Sequence, residues 1–351
     1  LPGSLPRINR ECIVKGIKAG LALNCKINNY SAFDRKSYFY PDSPFAYQIS
    51  QFYFPIAEHG YVMIEKDKEI IKNEKDFDKV GKAEQTEIGD AEVNSLNNNY
   101  LKKIRINRLH IEADAGKSIH QKNQTLIDLN RVGTGLMEIV TEPDIRSPEE
   151  AVKVMENIAK ILQYTGCSKA AMEEGSIRCD VNVSVYKGVG EFGTRTETKN
   201  LNSLNNVRDA INAEIKRQIE VLEDGREVEQ ETRLWDPDRS ISKVMRSKED
   251  AMDYRYFPDP NLKPIFVSDE EIRAVKLILP VFHYERERKY INEYGIAKDN
   301  AIFLCSKKEI SDYFDEVLQY IAKGLKEVDP KKVSNWIISV FFGIFSLFNI
   351  P

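Results

Sequence analysis

The sequence predicts an α+β fold in which amphipathic helices pack against antiparallel strands. Apolar and polar residues alternate over 177–185, and a second alternating stretch follows over 194–199, as is typical of half-buried strands. Two stretches with helical spacing, 147–164 and 203–225, each begin at a serine that can cap a helix. Beyond Val267 the apolar spacing is helical, which indicates a second, helical region.

The two alternating stretches are joined by a glycine-containing turn, so we expect an antiparallel hairpin. Its polar face is either a solvated surface with ordinary cross-strand ion pairs or part of a functional site, and spacing alone leaves both open. The residues expected on that face are Arg178, Asp180 and Asn182 from the first strand, and Arg195, Glu197 and Lys199 from the second.

Composition limits the classes of function. The 351 residues have room for two domains, and a net charge of −4 gives no overall basic excess for capturing nucleic acid. The five cysteines are widely spread without a CxxC pair, so they support neither a zinc ribbon nor a disulfide framework, and a reducing compartment fits. The final apolar run of about 15 residues is shorter than the roughly 20 of a membrane helix, and we interpret it as part of a core helix.

The chain divides into two predicted domains with a charged insertion in the first. Residues 64–103 are rich in Lys, Glu, Asp and Asn, which predicts a solvated hairpin or flexible loop without a chemical role. The change to helical spacing places the first domain at 1–267 and the helical one at 268–351.

One predicted strand carries a cluster of polar groups. Strand alternation places His110, Glu112 and Asp114 on the same side, where they could hold a hard cation or orient a base, or could be ordinary hydrogen-bonded acids. The following Gly-Lys-Ser at 116–118 resembles the end of a phosphate-binding P-loop. That motif requires glycine at the position of Ile111, so we exclude a Walker A site.

Two further regions are candidates for a site. Glu138 lies in a short apolar run, which predicts a buried carboxylate that either pairs with Arg or Lys or binds a metal. Residues 33–42 and 47–51 interleave aromatic, cationic and amide side chains, which suits either the wall of a ligand site or an ordinary strand with half-exposed tyrosines.

Several blocks, in this order along the chain, resemble the family of B subunits of the aspartyl/glutamyl-tRNA amidotransferases. No single short motif matters as much as the whole series. The blocks are FDRKSYFYPD at 33–42, YQISQF at 47–52, RLHIEADAGK at 108–117, DLNRVGTGLMEIVTEPDIRSPEEA at 128–151, MEEGSIRCDVNVSV at 172–185, KNLNS at 199–203 and DYRYFPDPNL at 253–262.

The resemblance implies a cradle-like α+β domain built on an antiparallel sheet, followed by a partial all-helical domain. It implies a carbon–nitrogen ligase with glutamine as amido donor, whose partners are the glutaminase (the A subunit) and a small third protein (the C subunit). Using ATP and Mg²⁺, such a ligase phosphorylates the side-chain carboxylate of mischarged Glu-tRNA(Gln) or Asp-tRNA(Asn), and ammonia then gives the amide. We expect a bacterial cytoplasm or an organelle matrix and no membrane.

The resemblance also implies roles for individual residues. His110 would orient a carboxylate or line the ammonia path. Together with four acids, it makes up the predicted catalytic residues. Phosphate and cofactor contacts would come from Lys36, Arg131, Arg178 and Lys199. The four acids, which are also the candidate Mg²⁺ ligands, are Glu112, Glu138, Asp180 and Glu197.

The sequence departs from the family pattern at several points. Ala113 stands where a carboxylate is expected, and Gly135 stands where a proline is usual. A leading strand with Glu-Val-His and a tail that contacts tRNA are expected from the family but do not occur within the sequence, so we expect a chain truncated at both ends. The alternative to the enzyme is therefore a non-catalytic fragment or degenerate paralogue that keeps the fold and the interface with its partner proteins.

Overall fold

A computed structural model describes residues 5–37, 39–66, 101–187, 191–247, 253–324 and 329–341. Helices and several sheets occur together in these ranges, so the predicted α+β class is confirmed. The helices are α1 Arg10–Ala22, α2 Pro148–Tyr164, α3 Leu204–Glu223, α4 Asp269–Leu277, α5 His283–Asn292, α6 Lys298–Leu304, α7 Lys308–Gly324 and α8 Pro330–Trp336, followed by a π-helical turn Ile337–Phe341.

The two longest strands pair with each other, and the longer of them carries part of the polar cluster. They are β1 Lys26–Ile27, β2 Tyr30–Ser31, β3 Asp34–Ser37, β4 Tyr47–Ser50, β5 Ala57–Glu65, β6 Leu101–Ala113, β7 Lys117–His120, β8 Thr125–Asp128, β9 Gly135–Thr141, β10 Cys179–Val183, β11 Thr196–Leu201, β12 Glu231–Asp236, β13 Ile241–Ser247, β14 Phe257–Pro258 and β15 Ile265–Phe266.

The chain forms two compact units. The first contains residues 1–158 and 171–276, and the second contains residues 159–170 and 277–351. Helix α4 therefore groups with the first unit. The domains at 1–267 and 268–351 that the change to helical spacing indicates stay a prediction.

The first unit contains an antiparallel sheet in the order β1-β5-β6-β9, against which α1 packs. Asn9 caps α1 by accepting a hydrogen bond from the backbone N–H of Glu11. Helix and sheet approach closely at Gly16, where a Cβ would lie 2.9 Å from Cδ1 of Ile111. A side chain there would push the helix away from the strand that bears His110, so this glycine helps to fix the position of β6.

The predicted insertion at 64–103 has ends that belong to this sheet. Strands β5 and β6 pair from Ala57↔Leu109 to Glu65↔Leu101, and Ile64 is buried. The ends of the charged segment are thus ladder residues rather than loop. Its remainder, 67–100, lies outside the described residues.

A second sheet in the first unit has the order β10-β11-β12-β13 and contains the predicted hairpin. Strands β10 and β11 are antiparallel, as expected, whereas β11 and β12 are parallel. Helix α3, capped by Ser203, covers one face of this sheet. The core on that face contains Ala151, Val181, Val183, Leu201, Val207, Ala210, Ile211 and Trp235.

The second unit is helical throughout its described residues, as the spacing beyond Val267 predicts. Its polar centre is the Tyr164 hydroxyl, which contacts the carbonyl of Cys305 and the hydroxyl of Ser311, each at 3.0 Å. The part of the apolar C-terminal run after residue 341 lies outside the described residues, and no described helix is long and apolar enough to cross a membrane. The unit's core contains Tyr290, Ile296, Ala301, Leu304, Cys305, Phe314, Leu318 and Ile337.

His283 makes the second unit sensitive to acid. Its ring is buried edge-to-face against Tyr164, and burial, with a contribution from Lys160, lowers its pKa to about 4. Because folding lowers the pKa of this base, unfolding is favoured when the histidine is protonated. The contribution of His283 to stability is therefore fully present above the ordinary pKa near 6.5 and falls as the pH drops towards 4. We expect His283→Gln to remove this dependence, so that between pH 7.5 and 5 the wild type loses about 2 kcal/mol more free energy of unfolding than the variant. Urea unfolding followed by circular dichroism checks this; parallel pH profiles would contradict it.

Candidate functional site

Three ligand-type side chains meet where β6 and β9 pair. His110 and Glu138 are direct cross-strand partners, and Glu112 lies on the same face of β6 two residues further on. Nε2 of His110 is 3.2 Å from Oε1 of Glu112 and 3.6 Å from Oε2 of Glu138. Among the described residues, this is the only group of three or more His, Cys, Asp or Glu side chains whose ligand atoms converge closely enough to share an ion.

The prediction that Glu138 is buried is wrong. Its side chain is 49% exposed, because β9 lies at an edge of its sheet within the described ranges and its apolar neighbours are themselves only partly buried. The sequence shows an apolar run, but it does not show which strands pair with it. Glu138 therefore combines a buried partner, His110, with an open side that a ligand can reach.

Glu112, in contrast, is buried and held on both oxygens. Its Oε1 accepts a 2.6 Å hydrogen bond from the hydroxyl of Ser50, and its Oε2 accepts one at 3.1 Å from the amide of Gln48. The same amide donates to the backbone carbonyl of Ala113 at 2.9 Å. Strand β4 thus fixes the end of β6 through side chains, and sequence reasoning missed this role of the 47–51 block.

The charge states of the cluster are coupled. Burial disfavours the imidazolium form of His110, but the hydrogen bonds and charges of Glu112 and Glu138 outweigh burial and raise the pKa of His110. The hydrogen bond to His110 lowers the pKa of Glu138, and Lys36 and Arg108 add attraction. Because Nε2 lies 3.2 Å from Oε1 of Glu112, which can only accept, Nε2 carries the proton that it donates to this carboxylate.

An aromatic and cationic wall lies beside the cluster. Phe52 and Tyr256 stack with ring centroids 4.1 Å apart, and Arg108 lies 5.6 Å from the Phe52 centroid. Lys36 lies 5.0 Å from the ring centroid of Tyr254. Burial and then the charge of Glu112 raise the pKa of Tyr256, so this ring belongs to the environment of the acids. Its nearness to the cluster could not be found from the sequence, since β14 pairs with β3 from far along the chain.

The hairpin carries a second charged group. Lys199 lies 2.5 Å from a carboxylate oxygen of Asp180 and 3.1 Å from one of Glu197, which also accepts a hydrogen bond from Thr232. A β-bulge brings the first pair together, and Asn200 adopts a φ of 69° within it, a conformation that asparagine tolerates. Burial would lower the pKa of Lys199, but the two carboxylates raise it, so this lysine is charged.

The predicted arginines meet at Asp114. Arg178 binds the Asp114 carboxylate at 3.1 and 3.2 Å, and Arg131 lies 3.5 Å from it. Arg131 also donates to the backbone carbonyls of Ala115 and Gly116. Both guanidinium groups remain about half exposed, so each has surface left for an anion. Arg178 therefore leaves the hairpin face and contacts the segment after β6.

The four predicted Mg²⁺ ligands fall into two groups. Glu112 and Glu138 converge with His110, whereas Asp180 and Glu197 surround Lys199. The first group fits a divalent cation, since two carboxylates converge and one is open to solvent; Mg²⁺ prefers such oxygen ligands and keeps several waters. The direct ligand role of Asp180 and Glu197 stays a prediction.

The comparisons with known proteins identify the class of the chain. The family described as the GatB/GatE catalytic domain matches residues 1–273, and the chain belongs to this family. The block that carries His110 and Glu112, the one that carries Glu138 and the hairpin all lie within the matched region.

Individual relatives specify which protein of this family the chain resembles. The chain is 45% identical over 345 residues to the B subunit of the aspartyl/glutamyl-tRNA(Asn/Gln) amidotransferase from Rickettsia typhi, a match that covers 98% of this chain and 64% of that protein. It is also 45% identical over 351 residues to the protein of the same name from a Wolbachia strain, a match that covers 100% of this chain and 66% of that protein. The predicted resemblance is confirmed, and the chain spans about two thirds of the length of these relatives.

Proposed function

We propose that the chain acts as the ATP-dependent component of a tRNA-dependent amidotransferase. The observation that carries this proposal is the convergence of His110, Glu112 and Glu138 inside the region matched by the family. The substrate would be the side-chain carboxylate of Glu on tRNA(Gln) or Asp on tRNA(Asn). Phosphorylation by ATP activates that carboxylate, and ammonia from a glutaminase partner replaces the phosphate to give the amide.

Phosphoryl transfer of this kind is mostly positioning and charge stabilisation. Glu112 and Glu138 would hold Mg²⁺, which supplies neutralisation of phosphate charge when bound. His110 holds Glu112 in place through a hydrogen bond from Nε2, and the same nitrogen lies 3.6 Å from Glu138. Because Glu138 is the exposed member, it faces the side from which substrate enters.

The four predicted cationic residues suit the anionic substrates. Lys199, Arg178 and Arg131 each retain a partly exposed charged group beside an acid that orients it. Lys36 acts on Glu138 through its charge. These four residues are the proposed contacts for ATP phosphates or the acyl phosphate, and the preorganised acids keep them in position.

The decisive experiment measures ATP hydrolysis in a complex reconstituted with the glutaminase and the small third protein. We expect hydrolysis to be stimulated by mischarged Glu-tRNA(Gln) or Asp-tRNA(Asn) and to yield the amidated tRNA when glutamine is present. A complex that assembles but neither hydrolyses ATP nor forms amide would contradict the enzyme and favour the non-catalytic paralogue. Ala113, a methyl group where the family pattern has a carboxylate, is the residue that favours that second candidate.

Asp180→Ala tests the role of the hairpin. We expect this change to abolish ATP-dependent amide formation, because Lys199 loses the acid that orients it at 2.5 Å. The melting temperature should change little, since the Asp180 side chain is 46% exposed and exposed pairs contribute only about 0–1 kcal/mol. Asp209→Ala, which removes an exposed ion pair to Arg208 on helix α3, is the matched control and should remain active. Full activity of Asp180→Ala would show that the hairpin is not part of the site.

A further inference from the structure

Strand β4 has no assigned role in the proposed chemistry, yet its polar side chains converge on one acid. Gln48 and Ser50 are partly buried and fully buried, respectively, and both point at Glu112. Gln51, just after the strand, accepts a hydrogen bond at 3.0 Å from the backbone N–H of Ile111, next to that acid. On an ordinary solvated strand face these polar side chains would contact water. Here they form hydrogen bonds to β6 instead.

The hydrogen bonds leave Glu112 little freedom to bind a ligand. Its Oε1 already faces the Ser50 hydroxyl at 2.6 Å and His110 at 3.2 Å, and a carboxylate oxygen has about two lone-pair sites. From the part of the chain that the structure describes, its Oε2 accepts a hydrogen bond from the Gln48 amide alone, at 3.1 Å, which leaves one site open. Glu112 can therefore offer a cation one oxygen in a fixed direction, whereas the half-exposed Glu138 can adjust.

We propose that Gln48 and Ser50 are positioning residues that hold Glu112 as a rigid, single-oxygen ligand, while Glu138 is the adaptable ligand of the pair. The proposal rests on the proposed function only in taking the cluster as a divalent-cation site. The amide and hydroxyl act as outer partners of a ligating carboxylate, and loss of such partners typically weakens metal affinity by about 10–100-fold. They contact neither ATP nor the aminoacyl group in this assignment.

Mn²⁺ binding to the assembled complex, followed by electron paramagnetic resonance without ATP or tRNA, tests the proposal. We expect Ser50→Ala and Gln48→Met each to raise the Kd for Mn²⁺ by about 10–100-fold. The matched control is Ser118→Ala, which removes a 3.1 Å hydrogen bond from a serine on β7 to the carboxylate of Asp42. It should leave the Kd within about twofold of the wild type, since Ser118 does not contact the cluster.

A double-mutant cycle separates positioning from a general loss of structure. In a Glu112→Gln background, Ser50→Ala should cause no further change in Mn²⁺ affinity, because its partner carboxylate is already absent. An equal loss in both backgrounds, or an unchanged Kd in Ser50→Ala and Gln48→Met, would overturn the positioning role alone. A wild-type complex that binds no Mn²⁺ would overturn both this inference and the cation site of the proposed function, so the two failures are distinguishable.

Discussion

Glu138→Gln should reduce tRNA-stimulated ATP hydrolysis and amide formation by about 100-fold or more. The change keeps the shape of the side chain and removes the charge of the one cluster acid that is half exposed. It also removes one of the two carboxylates that raise the pKa of His110, so the pKa of this histidine should fall. The kcat for ATP hydrolysis in the reconstituted complex, together with an NMR titration of His110, measures both effects.

The same variant should fold normally, because glutamine keeps the shape of a side chain that is half exposed, and an interaction of a solvent-screened carboxylate contributes only about 0–1 kcal/mol. Glu142→Gln is the matched control: Glu142 follows the same strand, accepts a 2.7 Å hydrogen bond from Asn107 and lies outside the cluster. It should keep kcat within about twofold of the wild type. Activity of Glu138→Gln close to that of the control would show that the convergence of the three side chains does not serve catalysis.

The period of two in the sequence predicted some of the side chains that share a strand face, although Arg178, expected on the hairpin face, binds Asp114 instead. It correctly placed His110 beside Glu112, and it placed Asp180 and Lys199 on the same face of a hairpin. Both cases depend on residues that are close in sequence or joined by one turn, where alternation and chain connectivity determine the geometry.

Contacts between distant segments could not be predicted in this way. Ser50 reaches Glu112, and Tyr256 stacks on Phe52, only because particular strands pair in a particular register. The burial of Glu138 was predicted wrongly for the same reason, since whether a strand lies at a sheet edge depends on its neighbours. Fold class and the residues of each face are thus properties of local pattern, whereas the completed site is a property of long-range pairing.

The face of the second sheet that α3 covers depends on a buried carboxylate, and Glu214→Ala tests this dependence. Glu214 on α3 is 1% exposed and accepts hydrogen bonds from Thr196, Arg217 and Gln218 at 2.5–2.9 Å, with Arg233 3.7 Å away. Burial alone would raise its pKa, but these donors outweigh burial and lower it. A lowered carboxylate pKa adds stability that is present above the ordinary pKa near 4.5 and is lost as the pH falls through the folded value.

Removing this acid leaves Arg217 and Arg233 with Glu231 as their remaining shared carboxylate. It also deprives Thr196 and Gln218 of an acceptor, so the free energy of unfolding should fall by about 3 kcal/mol. Glu220→Ala on the same helix is the matched control, because Glu220 is 61% exposed and its nearest lysine nitrogen is 3.9 Å away; it should cost less than about 0.5 kcal/mol. Urea unfolding followed by tryptophan fluorescence compares them, since Trp235 lies in the adjoining core. Equal losses in the two variants would contradict a buried anion that holds the covered face.

Loss of the Glu214 carboxylate should also affect the open face of the sheet, because β11 contributes residues to both faces. Thr196, which donates to Glu214, and Thr198 alternate along this strand with Glu197 and Lys199, so the covered residues fix the backbone from which the charged pair projects. We therefore expect Glu214→Ala to reduce kcat more than Glu220→Ala does, even at temperatures where both variants are folded. If kcat stays at the control value while stability falls, the covered network supports the sheet without setting the position of Lys199.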